Sequence, residues 1–409
     1  MTKTSAIKGN AVIGQSGGPT AVINQSLVGV IESIGRFSAV GRLLGARHGV
    51  RGIKEEDFIP LQRLGKKKLE ALAVTPAAAL GSSRDKPDEV YCQEILNVFR
   101  KNNIRYFFYI GGNDSADTAR IVSEMAGAID YELRVLHIPK TIDNDLRVTD
   151  HCPGYGSAAR FVASAFMGDD RDVTSLPGIK INVVMGRNAG WLTAAASLGR
   201  RDKTDGPHLV YVPEVTFSPK QFIDDVDRVY QKLGYCQIAV SEGVVDENNK
   251  PVAVVLAEKF GRQVERDSHG NVQLSGSGVL GDFLAEYVKD QLGKKRCGKL
   301  RVRADTFGYL QRSFAGYASP VDQHEARMVG RKAVEYLMSG AKNGSVAITR
   351  AKGKPYRAGY KLAALKDVAR LIKTMPRSFI NNDGNHITVA YRNYALPLVG
   401  PLPTIGKLF

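Results

Sequence analysis

The chain has 409 residues, 43% of them hydrophobic and 24% charged, and its 57 Lys+Arg against 41 Asp+Glu give a formal charge of +16. At roughly 100–200 residues per domain this means about two or three domains of ordinary globular composition, which excludes global disorder and low complexity. Four cysteines (Cys92, Cys152, Cys236, Cys297) lie far apart, without a Cys-x-x-Cys pair or a histidine at zinc spacing. Neither a disulfide scaffold nor a zinc site is indicated, and a reducing, cytoplasmic setting fits.

The uncharged run from Gly9 to Ile31 contains Asn10, Gln15, Ser16, Pro19, Asn24 and Gln25, which a bilayer penalises, so it reads as neither a membrane span nor a signal peptide. Within it, Ala11 to Ile13 reads as a strand. Further apolar runs at Tyr106 to Ile110, Val135 to Ile138, Ile181 to Met185 and Leu209 to Val212 are each followed at once by Gly or Pro, and most lead into helix-like segments. This alternation is the signature of βαβ units and a parallel sheet. Gln237 to Val240 and Val252 to Leu256 read as further strands, and the segment from Gly384 to Pro403 as a terminal strand with an irregular extension. No repeat of fixed period and no long Gly- or Pro-rich linker is present, so two domains would be interleaved or closely packed. The densest basic run, Lys294 to Arg303, suits a polyanion or a solvated face.

In open parallel sheets ligands bind beyond the carboxyl ends of the strands, which directs attention to three loops. VIGQSGGPTAVIN sets Gly14, Gly17 and Gly18 after a strand, with Thr20 expected to open a helix; glycines let backbone N–H groups face an anion. RYFFYIGGNDSADTAR places Gly111, Gly112, Asn113, Asp114 and Ser115 between a strand and a helix. There Asp114 or Ser115 would either cap the helix or, for the carboxylate, hold Mg²⁺ beside a phosphate. HIPKTIDNDL crowds Lys140, Thr141, Asp143 and Asp145 at a strand end. Two acids and a lysine within six residues suit phosphoryl transfer, with Asp143 accepting the proton of an attacking hydroxyl and Lys140 neutralising phosphate charge.

Together these loops resemble those of the phosphofructokinases, and HCPGYGSAAR, VVMGRNAGW, VYVPE and TFGYLQRS continue the match in order over roughly residues 10 to 320. The resemblance implies an α/β fold of two similar, interleaved, Rossmann-like parallel-sheet domains with the active site in the cleft between them. Residues 1–150, with part of 313–409, would bind the phosphoryl donor and Mg²⁺, and residues 151–312 the sugar phosphate. It implies that Asp143 is the general base on the sugar 1-hydroxyl, with Thr141 and Asp145 beside sugar and metal. Met185, Gly186 and Arg187 would line the fructose 6-phosphate pocket, Glu214 would bind sugar hydroxyls, and Arg303, Tyr309 and Arg312 would reach the 6-phosphate. Gly17, Gly18, Ser115, Arg84 and Lys86 would contact the donor, and Asn113, Asp114 and Asp143 the metal. A homodimer or homotetramer is expected, with no nucleic acid or membrane partner.

Two positions bear on the donor. ATP-dependent members generally have Gly where this chain has Asp114 and Lys140. A carboxylate there would repel the α-phosphate of a nucleotide while the lysine takes over pyrophosphate contacts, as in the pyrophosphate-dependent branch. Asn113 stands where the family usually has an acid, and Tyr309 where bacterial ATP enzymes commonly have His. The alternatives are an ATP-dependent phosphofructokinase and a non-catalytic polyanion or nucleic-acid binder using the Lys294 to Arg303 run, which lacks a recognisable motif. A dinucleotide oxidoreductase is disfavoured, because no acid follows a proper G-x-G-x-x-G.

Overall fold

The computed structural model describes residues 7–262, 278–295 and 300–408, so Cys297 and the middle of the Lys294 to Arg303 run lie outside the described residues. Strands are labelled β1 (Gly9–Gln15), β2 (Val40–Ala46), β3 (Phe58–Pro60), β4 (Ile104–Gly111), β5 (Arg134–Pro139), β6 (Ile179–Val184), β7 (Leu209–Tyr211), β8 (Cys236–Ser241), β9 (Val302–Thr306), β10 (Asn343–Arg350) and β11 (Ala358–Ala363). The chain divides into two units: Met1–Ser157 with Arg312–Lys373, and Ala158–Gln311 with Thr374–Phe409.

The first unit holds a seven-stranded sheet ordered β11-β10-β5-β4-β1-β2-β3, parallel except where β2 meets β3 and β10 meets β11. Its central strands are covered on both faces, which is why they read as unbroken apolar runs. Alternate residues feed different cores: Tyr106, Phe108 and Ile110 join Ala11 and Ile13 in one cluster, while Phe107 and Tyr109 join Val12 in another. The late return of the chain to this unit is fixed by the helix Pro320–Met338, which packs on the helix Ile23–Ile34. The contact is too close for side chains at two points. A Cβ on Gly29 would stand 2.2 Å from the Arg327 carbonyl, and one on Gly330 would stand 2.2 Å from that of Ser26.

The second unit carries the parallel sheet β7-β8-β6-β9 over one core built from Ile179, Ile181, Ile238, Val240, Phe222 and Leu284 among others. Two expected strands are helices. Val252–Lys259 is helical because Pro251 sits at its N-cap and Val252, Ala253, Leu256 and Ala257 all pack into this core, overriding the β preference of valine. Val389–Val399 is helical despite Pro397, with Tyr391, Ala395 and Leu398 buried at helical spacing. The first helix opens at Ile23, three residues later than Thr20, after a turn in which Gly17 has φ +72°.

Candidate active site

In the first sheet β5, β4 and β1 are neighbours and run parallel, so the loops leaving their carboxyl ends must lie side by side. Those loops carry the three motifs, and the hydrogen bonds stitch them together. Ser16 N–H donates to the Ile110 carbonyl (2.9 Å), Gly17 N–H to Ser83 (2.8 Å) and Lys140 N–H to Gly111 (2.9 Å). The hydroxyls of Ser16 and Ser115 bond to one another, which spends Ser115 on loop closure. The N-cap of the helix Asn113–Ala128 is Gly112, so neither Asp114 nor Ser115 caps it. His137 donates from Nε2 to the Gly111 carbonyl (2.9 Å) and, through Nδ1, meets Ser345 Oγ (2.8 Å). Burial pulls its pKa down to about 4, so the ring is a neutral brace.

Lys140 is the electrostatic centre of this loop cluster. It is 3% exposed, and its ammonium donates to the Gly18 carbonyl at 2.8 Å. A Cβ on Gly17 would lie 3.1 Å from that ammonium, and a Cβ on Gly18 would lie 2.9 Å from the Arg312 guanidinium. The two glycines are thus the floor over which two cations reach. Burial pulls the Lys140 pKa down to about 8, with Arg312 and Arg84 pushing the same way and Asp143 and Asp145 opposing. A cation so placed is poised to gain from an incoming anion. Asp143 donates its backbone N–H to Thr141 Oγ1 (3.1 Å), and burial raises the Asp145 pKa while its bond to the Thr141 side chain opposes. Asp114 is exposed and pairs with exposed Lys86 at 3.2 Å. Arg84 is also exposed.

The second unit gathers most of the other expected residues at the carboxyl ends of its strands. After β6, Met185 donates its N–H to Gln311 Oε1 (3.2 Å), and buried Gln311 in turn donates to the Gly308 carbonyl (2.7 Å), joining the loops after β6 and β9. Gly186 has φ +142°, and its carbonyl accepts from Ser241 Oγ (2.6 Å). Arg187 is exposed on this loop, and its carbonyl packs so tightly on Gly243 that a Cβ there would stand 1.9 Å away. Glu214, after β7, accepts from Gly190 N–H (2.9 and 3.0 Å) and Met375 N–H (2.9 Å), with burial pushing its pKa up. Arg303 is exposed on β9 but lies opposite Lys180 at the amino end of the parallel sheet, which sets it apart from the loops of Met185 and Gly186 at the carboxyl end. Tyr309, in the loop after β9, is 47% exposed.

The sequence profile of the family described as Phosphofructokinase matches residues 10–337. The chain belongs to the phosphofructokinase family. A pyrophosphate–fructose 6-phosphate 1-phosphotransferase of Rhodospirillum rubrum is 54% identical over 393 residues, 96% of this chain and 95% of that protein. The crystal structure of a pyrophosphate-dependent phosphofructokinase from Nitrosospira multiformis superposes with a TM-score of 0.83 at 34% identity, covering 98% of this chain and 95% of the other. An ATP-dependent 6-phosphofructokinase of Aquifex aeolicus is 26% identical over 339 residues, 82% of this chain and 89% of that one.

Against this phosphofructokinase pattern three expected residues are placed differently, Arg303 at the amino end of its sheet among them. Arg312, grouped above with the sugar phosphate, has its guanidinium against Gly18 in the donor loop, because the chain re-enters the first unit at that residue. Asn113 turns its amide nitrogen to the carbonyls of Val368 (3.1 Å) and Leu371 (3.0 Å), which leaves its Oδ1 as the one atom it could offer a metal. Gln311 escaped notice although it lies inside the TFGYLQRS motif. Enzymes of the family generally use a divalent metal. Among the described residues no group of three His, Cys, Asp or Glu side chains is arranged to hold a metal ion. The loops after β4 and β5 nevertheless offer Asp114 and Asp143, and this suits a hard cation that takes one or two carboxylates and completes its shell with phosphate oxygens and water.

Proposed function

We propose that this chain transfers a phosphoryl group reversibly from pyrophosphate to the 1-hydroxyl of fructose 6-phosphate, giving fructose 1,6-bisphosphate and phosphate. The observation that carries the reading is Lys140, a buried cation on the Gly17-Gly18 floor beside Asp143, in a loop cluster where Asp114 stands at the start of the following helix. Lys140 and Arg312 hold the pyrophosphate, with Arg84 and Lys86 at its exposed side. Asp143 takes the proton from the sugar hydroxyl as its oxygen attacks phosphorus, and the bond to the departing phosphate breaks while Lys140 balances the charge that phosphate retains. Asp114 adds negative charge where a nucleotide would bring its α-phosphate. Met185, Gly186, Arg187, Glu214 and Tyr309 form the sugar-phosphate side. Mg²⁺, held by Asp143 and Asp114, would neutralise phosphate oxygens when bound. The protein works in the cytoplasm as a homo-oligomer.

The test is Asp143→Asn. Loss of a positioned base lowers kcat by about 10²–10⁴ while both substrates still bind. Near-normal kcat in that variant would remove Asp143 from the reaction.

A further inference from the structure

The segment Ile372–Met375 lies beyond the 10–337 region that the family profile matches, yet its residues hydrogen-bond to site residues of the units to which they belong. Lys373 N–H donates to the Asp145 carbonyl at 2.7 Å, and Ile372 bridges Leu146 across the same strand-like contact. The Lys373 ammonium donates to the carbonyls of Asp150 (2.9 Å) and Thr149 (3.1 Å) and to Asn144 Oδ1 (3.4 Å). Two residues on, Met375 N–H donates to Glu214.

Asn144 is the residue between Asp143 and Asp145. It is fully buried and holds φ +55°, a left-handed conformation that a side chain other than Asn tolerates poorly. Its Oδ1 accepts both from Lys373 and from Cys152 N–H (3.1 Å). Rotating this one residue would swing the two flanking carboxylates in opposite senses. We propose that Lys373 is a positioning residue for the reaction: by clamping Asn144 and the Asp145 backbone, it aims Asp143 at the sugar hydroxyl without itself touching a substrate. Its reach over the Thr149 and Asp150 carbonyls ties the loop to the chain that follows it, so the aim is set at two points. A catalytic group held about 1 Å off line loses rate and not affinity.

The inference rests on the reading of Asp143 as base, which the Asp143→Asn assay tests by itself, so a normal kcat there and a normal kcat in the Lys373 variants are distinguishable failures. Wild type, Lys373→Met and Lys373→Arg are assayed with pyrophosphate and with ATP as donor, each across a range of fructose 6-phosphate. With the donor that wild type uses, Lys373→Met is expected to lower kcat about 10–100-fold while both KM values stay within about threefold, and Lys373→Arg, which keeps a donor fork, to recover most of the rate. Unchanged kcat, or a rise in KM at constant kcat, overturns the proposal. If Lys373→Met does not fold, Asn144→Gly serves, since glycine keeps the left-handed backbone and removes the side chain that carries Oδ1. The same loss of kcat at constant KM is expected there, and wild-type kcat would contradict the clamp. Absence of pyrophosphate turnover in wild type would instead count against the donor reading, leaving the Lys373 comparison to be made with ATP.

Discussion

The loops after β1, β4 and β5 in the first unit and those after β6, β7 and β9 in the second are built at the same place, the carboxyl ends of parallel strands, yet they store their charge differently. In the first, Lys140 is 3% exposed on a glycine floor, braced by the neutral His137 and the Ser16–Ser115 pair. In the second, the backbone is what is fixed: Gly186, Gly243 and Gln311 hold the loop while Arg187 projects from it exposed. A buried cation has already lost its water and gains most from an anion, whereas an exposed arginine trades one hydrated state for another. Substitutions should therefore hurt unequally.

The largest effect is expected at Lys140. Lys140→Met should lower kcat/KM for pyrophosphate by at least about 10²-fold, since a charge-assisted contact worth roughly 1.5–3 kcal/mol in ordinary settings is here fully desolvated. Because burial holds its pKa near 8, below the usual lysine value, the ammonium loses its proton as pH rises through about 8 in the free enzyme. The KM for pyrophosphate should climb over that range in wild type and stay flat in Lys140→Arg. The same depression means the unfolded chain binds more protons between about pH 8 and the ordinary lysine pKa, so this group's contribution to stability rises with pH there. A wild-type profile matching that of Lys140→Arg would show that the lysine does not titrate on the donor.

Smaller effects should come from the arginines, and they sharpen the contrast. Arg187→Ala is expected to raise the KM for fructose 6-phosphate about tenfold and leave that for pyrophosphate unchanged. Arg312→Ala, whose guanidinium lies over Gly18, should raise the pyrophosphate KM as well. Steady-state kinetics with each substrate varied in turn reads both. An Arg312 variant impaired only toward the sugar phosphate would return that residue to the sugar side.

The three donor loops were legible because each is a strand, a glycine or proline and a polar cluster in continuous sequence, and neighbouring parallel strands leave such loops no choice but to meet. Val252 to Leu256 misled because a short apolar run has no period of its own; burial on nearly every side made it a helix. The tail helix hid behind Pro397 and β-favouring residues for the same reason, its face defined only by what it packs against. Lys373 and Met375 left no local signal at all. Their partners lie some 160 to 230 residues away, and a carbonyl acceptor has no side chain to mark it. Arg312 was found as a residue but not as a location, because sequence order cannot show where a chain crosses from one unit to the other.

The choice of donor is the central claim, and one ratio tests it: kcat/KM for ATP divided by that for pyrophosphate, measured with saturating fructose 6-phosphate in wild type and in Asp114→Gly. The expected wild-type ratio lies far below one. Removing the carboxylate and its partnership with Lys86 should raise the ratio, even if ATP turnover stays slow. A wild-type ratio above one, or a ratio that Asp114→Gly leaves where it was, would contradict the pyrophosphate assignment and favour an ATP-dependent enzyme.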